Sequence, residues 1–274
     1  MTESLATLLA PNPSAMTLDG TRTFVVGRAR PVVIDPGPDD PRHLDAILRA
    51  LGGVAPVAIL LTHSHADHAA ATPALAARTG APVLLGRGAF REPFDPELVG
   101  RWLEEGDTVE TDAGTLTAIA TPGHAPEHFA FLWANGNAPA GGALFAGDAF
   151  MGVGDTTLVS PPEGDLAAYL RTLDRVAAVD PSVLLPAHGP PIVDPRAAVV
   201  RYRTHRTERV AQVVRALREA GPSAPPALVD TVYGAALDPR LRTAALGSLL
   251  AILGYLSGEG RARENPDGSY ALTD

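Results

Sequence analysis

The hydrophobic positions of residues 1–195 form short apolar runs that alternate with segments of helical spacing. Short β-branched or aliphatic runs bounded by Gly, Pro and Asp are typical of buried strands. The pattern predicts strands at Thr23–Val26, Val32–Ile34, Val57–Leu61, Pro82–Leu85, Thr108–Val109, Thr115–Ile119, Phe129–Trp133, Ala143–Ala146 and Val183–Leu185. It predicts helices at Pro41–Leu51, His68–Arg78 and Leu166–Val179. Many short strands with helices between them favour a two-sheet α/β sandwich flanked by helices.

The pattern changes near Pro195, where longer helical segments replace the alternation. Predicted helices cover Arg196–Ala220, Ala227–Tyr233 and Arg240–Glu259, and a hairpin joins Arg261–Asn265 to Ser269–Leu272. The turn of that hairpin is Pro266-Asp267-Gly268, a favourable turn sequence. We therefore divide the chain into a domain at 1–195 and a second domain at 196–274. Helices followed by a terminal hairpin resemble a winged-helix module.

Composition limits the chemistry and the expected location. The 274 residues include no cysteine, which excludes disulfides, thiolate ligands and a cysteine nucleophile. Any metal must therefore be held by nitrogen and oxygen. No apolar run reaches the length needed to span a bilayer, and Met1–Ser4 lacks the start of a signal peptide. We expect a cytoplasmic protein with no membrane partner.

Charge is uneven along the chain. The net charge is −9, and residues 1–195 are acidic whereas residues 196–274 carry 11 arginines against eight acidic residues. An acidic protein does not favour broad nucleic-acid binding. All 22 basic residues are arginine, which suits phosphate contacts. Base-composition bias, which would also enrich Ala, Gly and Pro, is the favoured explanation of that usage.

The densest candidate chemistry directly follows the predicted strand Val57–Leu61. The run Thr-His-Ser-His-Ala-Asp-His at 62–68 holds three of the eight histidines and a carboxylate. Imidazole and carboxylate together suit a borderline divalent metal such as zinc. A polar capping loop would not need such density. The run predicts metal ligands at His63, His65, Asp67 and His68.

Three more ligand-type residues follow predicted strands later in the chain. They are His124 in Thr-Pro-Gly-His, Asp148 in Ala-Gly-Asp and His188 in Pro-Ala-His-Gly. Loops at one edge of a rigid sandwich can converge on one site. Seven nitrogen and oxygen ligands are too many for one tetrahedral ion and suit two. We expect two Zn²⁺ ions, and iron or manganese would accept the same set.

The motif His-x-His-x-Asp-His, followed in order by His, Asp and His, resembles the signature of the metallo-β-lactamase superfamily over about residues 17–195. The resemblance implies an αββα sandwich and a dinuclear metal-dependent hydrolase that uses a metal-bridging hydroxide. It also implies the ligand sets: His63, His65 and His124 for the first metal, Asp67, His68 and His188 for the second, and Asp148 as the bridge.

The same resemblance gives two aspartates further roles. Asp67 would be the catalytic residue that orients and deprotonates the attacking water. Asp35, in Ile-Asp-Pro-Gly, matches a recurring Asp-x-Gly of this fold and is expected to orient the metal-binding loop.

A closer resemblance concerns the whole chain. The segment 12–21, the sequence Gly-Val-Gly at 152–154 and the small C-terminal domain are similar to the β-lactamase-like endoribonuclease family. That family implies a two-zinc site and single-stranded RNA as substrate. The alternative is a small-molecule thioester or ester, as in glyoxalase II-like relatives, and the acidic catalytic part favours it mildly.

Two departures from that family are visible. The stretch after His124 reads Ala-Pro-Glu-His at 125–128 and lacks the usual threonine. This puts the geometry of the substrate-side loop in doubt but not metal ligation. The segment 21–23 reads Thr-Arg-Thr where Thr-Asn-Thr is common.

The remaining polar residues receive simpler interpretations. His128 is predicted to hydrogen-bond around the site without binding metal, and His43 is predicted to be solvated on an amphipathic helix. The helix face Tyr202–Arg209 is predicted to clamp the two domains, with phosphate steering as the less favoured alternative. Arg240–Glu259 is rich in Leu and Ala, so it favours packing or a homodimer through the C-terminal domain over groove reading. A nucleic-acid-binding protein with a silent site is disfavoured by the intact ligand set.

Overall fold

The computed structural model describes residues 4–88, 94–234 and 236–273. Its first sheet has six strands that are hydrogen-bonded in chain order. They are β1 (Leu5–Leu9), β2 (Arg22–Val26), β3 (Val32–Ile34), β4 (Ala58–Leu60), β5 (Val83–Gly86) and β6 (Val99–Leu103). Strands β1 to β3 are antiparallel and β3 to β6 are parallel. Helix α1 (Pro41–Leu51) connects β3 to β4, and α2 (Ala66–Ala69) and α3 (Thr72–Thr79) connect β4 to β5.

The second sheet has five strands in the order β11-β10-β9-β8-β7. They are β7 (Thr108–Thr111), β8 (Gly114–Ala120), β9 (Phe129–Ala134), β10 (Ala143–Gly147) and β11 (Val183–Pro186). Strands β7 to β10 form an antiparallel meander, and β11 joins β10 in parallel. That parallel step needs a crossover, which α4 (Leu166–Val179) provides.

Side chains alternate between two cores along the strands, as a period of two requires. In β3, Val32 and Ile34 face the second sheet, whereas Val33 packs in the cluster that includes α1. The rings of Phe24 and Phe145 lie 4.9 Å apart between the sheets. The layers therefore run helix, sheet, sheet, helix, and the predicted αββα sandwich is confirmed.

The C-terminal part consists of three helices and a hairpin. Helix α5 (Pro195–Ala220) is followed by α6 (Pro225–Tyr233) and α7 (Arg242–Gly258), and β12 (Ala262–Glu264) pairs antiparallel with β13 (Tyr270–Leu272). This arrangement confirms the predicted winged-helix-like module. Helices α5 and α7 both contact α4. The division between residues 195 and 196 and the homodimer stay predictions.

Helix α1 shows how local sequence sets an element's ends. The Asp40 carboxylate accepts a hydrogen bond from the Arg42 N–H at 2.8 Å, and Gly52 ends the helix with a φ of 59°. The prediction that His43 is solvated is wrong. Its side chain lies on the buried face of α1, and its Nε2 is 2.7 Å from Thr23 Oγ1.

The structure differs from the pattern-based prediction at three further elements: two strands that the pattern missed and one helix that is divided. The segments β1 and β6 were not predicted, because both are half-exposed and lack a continuous apolar run. The predicted helix His68–Arg78 is two helices, α2 and α3. The chain turns between them, where the Ala71 N–H donates to the Gly37 carbonyl at 3.0 Å.

One helical segment of the described residues is long and apolar enough to cross a membrane. It covers Pro239–Gly258, with 20 residues and a mean hydropathy of 1.3. The expectation from apolar runs alone missed it, because small and polar residues interrupt the segment. The core helix of a soluble protein can have the same length and composition, and Leu249, Ile252 and Leu253 of α7 are fully or almost fully buried.

Candidate metal centre

The seven predicted ligands lie in four segments, each of which follows a strand, and two of them, Asp67 and His68, belong to the short helix α2. His63 to His68 follow β4, and His124, Asp148 and His188 follow β8, β10 and β11. Strand β10 ends at Gly147, whose φ is 49°. A Cβ atom at this glycine would lie 2.6 Å from His128 Nε2, so only glycine permits this close approach before Asp148. The structure brings all seven side chains together.

Three imidazoles form the first group. His65 Nδ1 lies 2.9 Å from His63 Nε2 and 3.0 Å from His124 Nε2. The three ring nitrogens therefore point towards one another.

Two carboxylates and two imidazoles form the second group. Asp67 Oδ2 lies 3.3 Å from His188 Nε2 and 3.5 Å from His68 Nε2. Asp148 Oδ1 lies 3.2 Å from His188 Nε2 and 3.4 Å from His68 Nε2. The other oxygen of Asp148, Oδ2, is 3.5 Å from His124 Nε2. Asp148 thus faces both groups.

The outer nitrogen of each imidazole is held by an oxygen. His124 Nδ1 donates to the Leu158 carbonyl at 2.7 Å, and His65 Nε2 donates to Glu163 at 3.0 Å. Such contacts fix which nitrogen carries the proton and which carries the lone pair. The remaining outer contacts are His63 Nδ1 to Thr62 Oγ1, His68 Nδ1 to Asp35 Oδ2 and His188 Nδ1 to the Gly20 carbonyl.

The inner atoms fit divalent cations. With every outer nitrogen protonated, the neutral imidazoles turn lone pairs towards one another at 2.9–3.0 Å, with no proton to share. His68 Nε2, His188 Nε2 and Asp148 Oδ1 are buried and have no hydrogen-bond partner among the described residues. Buried polar atoms without partners are costly unless they bind an ion. This donor set therefore suits two cations.

Asp35 connects the metal-binding loop to the sheet. Its Oδ1 accepts from the Thr62 N–H at 2.8 Å, and its Oδ2 accepts from Thr62 Oγ1 at 2.8 Å and from His68 Nδ1 at 2.9 Å. Because Thr62 Oγ1 donates to Asp35, it accepts from His63. Asp35 thus orients two histidines, as the sequence predicted for this loop.

Two glutamates support the site and were not found from the sequence. Buried Glu127 accepts from both the N–H and the hydroxyl of Ser64, at 3.1 and 2.6 Å. It lies in the stretch that departs from the endoribonuclease pattern, and it anchors the histidine loop there. Glu163, on the loop before α4, contacts His65. No sequence motif marks either residue.

His128 lies beside the centre without offering it a ring nitrogen. The Asp148 N–H donates to His128 Nε2 at 3.1 Å, and His128 Nδ1 lies 2.8 Å from Thr121 Oγ1. Burial and the neighbouring His124 lower the pKa of His128, which keeps the ring neutral. Both ring nitrogens are therefore engaged away from the inner atoms, as predicted.

The pKa values of the cluster reflect its two groups. Burial and the neighbouring imidazole of His68 lower the pKa of His63 well below its ordinary value. Burial also opposes ionisation of His188, but Asp148 outweighs it and raises the pKa of His188 to about 9. For Asp67, burial is outweighed by His68, which lowers its pKa to about 2. Without a cation, the carboxylates thus hold protons on their histidine neighbours.

The helix face Tyr202–Arg209 joins the two parts of the molecule. The Tyr202 hydroxyl donates to the Met151 carbonyl at 2.9 Å and accepts from the Met151 N–H at 2.8 Å. Arg206 Nη2 donates to the Thr157 carbonyl, next in the chain to Leu158, which holds His124. These contacts confirm the predicted clamp.

A cavity of about 610 Å³ opens beside these candidate ligands, called the metal-binding residues below. His65, Asp67, His124 and Asp148 line one wall. The other wall comes from α5, α6 and α7 and the segment between α6 and α7, and it is mainly apolar, with Leu237, Leu241 and Ile252 among its residues. The site therefore lies between the sandwich and the C-terminal part, as ligand sites between domains commonly do.

Two family models match the chain. The model of the metallo-beta-lactamase superfamily matches residues 17–188, more than half of the chain. The chain belongs to the metallo-β-lactamase superfamily. A second model, the beta-lactamase associated winged helix domain, matches residues 224–270 of this superfamily member. The protein is thus a hydrolase of a superfamily that typically binds two metal ions, and its predicted fold and superfamily are confirmed.

Similar proteins carry related names. The lactamase-like protein adaB of Aspergillus niger is 32% identical over 254 residues, covering 87% of this chain and 75% of that protein. The atrochrysone carboxyl ACP thioesterase of Aspergillus chevalieri is 32% identical over 223 residues, covering 80% and 68%. Neither match specifically supports the endoribonuclease branch.

Solved structures confirm the fold over the whole chain. A beta-lactamase domain protein from Burkholderia ambifaria has a TM-score of 0.81 at 24% identity, covering 99% of this chain and 92% of that one. The chain also matches TTHA1623 in a di-iron-bound form, with a TM-score of 0.53 at 28% identity, covering 70% of this chain and 97% of that one.

Proposed function

We propose that this metallo-β-lactamase superfamily member hydrolyses acyl thioesters or esters. The cavity carries the proposal, because the metal-binding residues share it with an apolar wall that includes Leu237, Leu241 and Ile252. Burying one methylene group of an acyl chain against such a wall contributes about 0.8 kcal/mol. The relative named as an ACP thioesterase supports the same substrate class.

In the proposed centre, Asp148 would help to hold both cations, because its two oxygens point towards the two groups of histidines. Two divalent cations, when bound there, supply Lewis acidity towards a carbonyl and make water a stronger acid. Zinc is the expected ion, and iron or manganese suits the same donors. The cations would be held by His63, His65 and His124 on one side and by Asp67, His68 and His188 on the other.

The reaction adds water to the acyl carbon and breaks the bond from that carbon to sulfur or oxygen. The leaving thiolate or alkoxide takes up a proton, and the new carboxylic acid loses one. Asp67 is the proposed catalytic residue, because its side chain is 31% exposed, against 11% for Asp148, and lines the cavity. Its Oδ2 faces His188, so its Oδ1 is the atom that would orient the water and accept its proton.

Single-stranded RNA remains the second candidate substrate, from the resemblance in sequence. The charge distribution does not favour it, since many arginines of the C-terminal part pair with aspartates. A phosphate backbone would have to displace these pairs. The pairs are Arg196–Asp180, Arg201–Asp155, Arg203–Asp174, Arg240–Asp238 and Arg242–Asp230.

One assay panel tests the proposal. The metal-loaded protein is given hexanoyl-N-acetylcysteamine, a thioester, and a single-stranded RNA oligonucleotide, alongside the variants His65→Ala and Arg196→Gln. We expect cleavage of the thioester by the wild type and by Arg196→Gln, whose side chain is 80% exposed, and none by His65→Ala. RNA cleavage that His65→Ala abolishes, with the thioester intact, would replace this proposal by the endoribonuclease.

A further inference from the structure

Two arginines line the cavity that holds the metal-binding residues. Arg206 and Arg209 lie one helical turn apart on α5, and both contribute to the cavity wall. No carboxylate oxygen of the described residues lies within ion-pair distance of either guanidinium. This distinguishes them from Arg196, Arg201 and Arg203 of the same helix, each of which pairs with an aspartate.

Arg206 is buried with only partial compensation of its charge. The residue is 3% exposed, and its guanidinium lies 5.1 Å from the centre of the Tyr169 ring. Arg206 Nη2 donates to the Thr157 carbonyl, but Arg206 Nε is buried without a hydrogen-bond partner among the described residues. Burial lowers the pKa of this guanidinium. A carbonyl and a ring face offer partial negative charge, not a full counter-charge.

Arg209 lies beside it in a similar environment. Its guanidinium is 4.8 Å from the centre of the Tyr233 ring, and its Nη1 donates to Gln212 at 2.8 Å and to the Val232 carbonyl at 3.2 Å. Both partners are neutral. The apolar wall therefore carries two adjacent positive charges, which repel each other and have no acidic partner in the described residues.

We propose that Arg206 and Arg209 bind a negatively charged group of the substrate in this cavity. Two adjacent guanidiniums in a partly desolvated space suit a carboxylate or phosphate oxygen, which would supply the missing counter-charge. The inference rests on the proposed function for the rest of the substrate, a thioester or ester. It makes the substrate an anionic one.

The anion has two sources within that substrate class. It is either a carboxylate at the far end of the acyl chain or the phosphate of a phosphopantetheine carrier on the leaving-group side. The shared chemistry is an oxyanion attached to a flexible chain whose thioester carbonyl reaches the metal-binding residues.

Binding is tested first, on metal-free protein and without turnover. Glutarate and inorganic phosphate are titrated separately, and the thermal unfolding midpoint is measured for the wild type, Arg209→Gln and Arg201→Gln. Arg201 is the matched control, because it lies on the same helix but pairs with Asp155 and does not line the cavity. We expect an anion to raise the midpoint of the wild type and of Arg201→Gln, and Arg209→Gln to lose that rise.

Kinetics on metal-loaded protein then identify the source of the anion. The carboxylate arm compares glutaryl-N-acetylcysteamine with its neutral terminal amide. The phosphate arm compares hexanoyl-phosphopantetheine with hexanoyl-pantetheine. We expect about a ten- to hundredfold preference in kcat/KM for the charged member of one pair, as a hydrogen bond to a charged group provides. Arg209→Gln should remove that preference, and the control variant Arg201→Gln should keep it.

The outcomes separate this inference from the proposed function. Anion binding that Arg209→Gln removes, with no thioester cleaved, would keep the anion site and reject the thioesterase. Thioester cleavage with no preference in either pair, or with a preference that survives in Arg209→Gln, would reject the anion site. Circular dichroism checks the fold of each variant. Arg209→Lys, which keeps the charge and loses the planar fork, should retain part of the preference.

Discussion

The two walls of the cavity differ in whether their charged side chains have partners of opposite charge. On the metal-binding wall, carboxylates accompany the histidines, and the outer nitrogen of every ligating imidazole is held by an oxygen. On the wall from α5, Arg206 and Arg209 have only neutral partners. The first wall offers a donor set that suits cations between its side chains. The second is itself cationic and has no acid to match it.

This difference indicates a division of labour within one space. Side chains oriented by outer hydrogen bonds can hold metal ions in a fixed geometry, which catalysis requires. Uncompensated guanidiniums in an apolar wall cost stability, so they indicate a ligand that brings the opposite charge. Reactivity and recognition would then depend on different elements, the sandwich loops and the C-terminal helices.

The largest effect is expected from removing one side chain of the metal-binding wall, which should leave anion binding at the other wall intact. His65→Ala deletes the ring that lies between His63 and His124 and also leaves Glu163 without its histidine. We expect metal content to fall and kcat/KM to drop at least about a hundredfold, since the loss of outer partners alone costs 10–100-fold. Elemental analysis and thioester assays measure both. Anion binding to the metal-free variant should persist, and its loss would show that the walls are not independent.

The second-largest effect is expected at Asp35, which orients the histidines of the metal-binding wall without facing the cations. Asp35→Asn keeps the shape but removes the carboxylate that accepts from Thr62 and His68. We expect metal affinity to fall by about 10–100-fold. Competition with a chelator measures the affinity, and the histidine ligands themselves are untouched. An unchanged affinity would mean that the loop holds its geometry without Asp35.

A pH titration distinguishes the charge of His188, which can lose its proton, from the charges of Arg206 and Arg209, which stay protonated. In the metal-free protein the pKa of His188 is raised to about 9 by Asp148, so this ring is charged at pH 7 and must lose its proton to bind a cation. We expect metal affinity to rise by about tenfold per pH unit between 7 and 9 for each proton displaced. Calorimetry in two buffers of different ionisation enthalpy counts those protons.

The same raised pKa has a consequence for stability. The charged His188 stabilises the metal-free fold fully below its unfolded pKa, near 6.5, and this contribution is lost as pH rises through about 9. The thermal midpoint of the metal-free protein should therefore fall over that range. Metal-loaded protein should not show that fall, because its ring is already neutral. Equal falls in both forms would contradict the assignment.

The smallest effect concerns the clamp between the walls. Tyr202→Phe removes the hydroxyl that bonds both the N–H and the carbonyl of Met151. We expect a loss of about 1–3 kcal/mol in the free energy of unfolding, because these backbone groups lose their partner. Urea denaturation measures the loss. Metal content should stay at the wild-type level. A loss of metal would show that Tyr202 also helps to position the metal-binding residues.

Sequence alone located the metal-binding wall because its information is local. His63 to His68 form a dense motif, and the later ligands each follow a predicted strand. It could not find Glu127 or Glu163, since each meets its partner across a long stretch of chain, 63 residues for Glu127 and Ser64. Nor could it find the missing counter-charge of Arg206 and Arg209, because only tertiary structure shows which arginines have a carboxylate nearby.

The misplacement of His43 has a similar cause. The helical spacing of α1 was correct, but the width of its buried face depends on what packs against it, here Thr23 of β2. Strands β1 and β6 were not predicted because they lie at the edges of the sheet. An edge strand can be largely exposed, so it lacks the apolar run that marks a central strand. Periodicity thus predicted the elements of the core better than those at its margins.

The neighbouring carbonyls of Thr157 and Leu158 restrict how this architecture can be inherited. One carbonyl receives Arg206 of the C-terminal part and the other receives His124 of the metal-binding wall. A recombination event that exchanged the C-terminal module would therefore have to bring a compatible residue at position 206, or carry this short loop along with it. Chimaeras joined near residue 195 should therefore be less stable when position 206 lacks a donor for the Thr157 carbonyl.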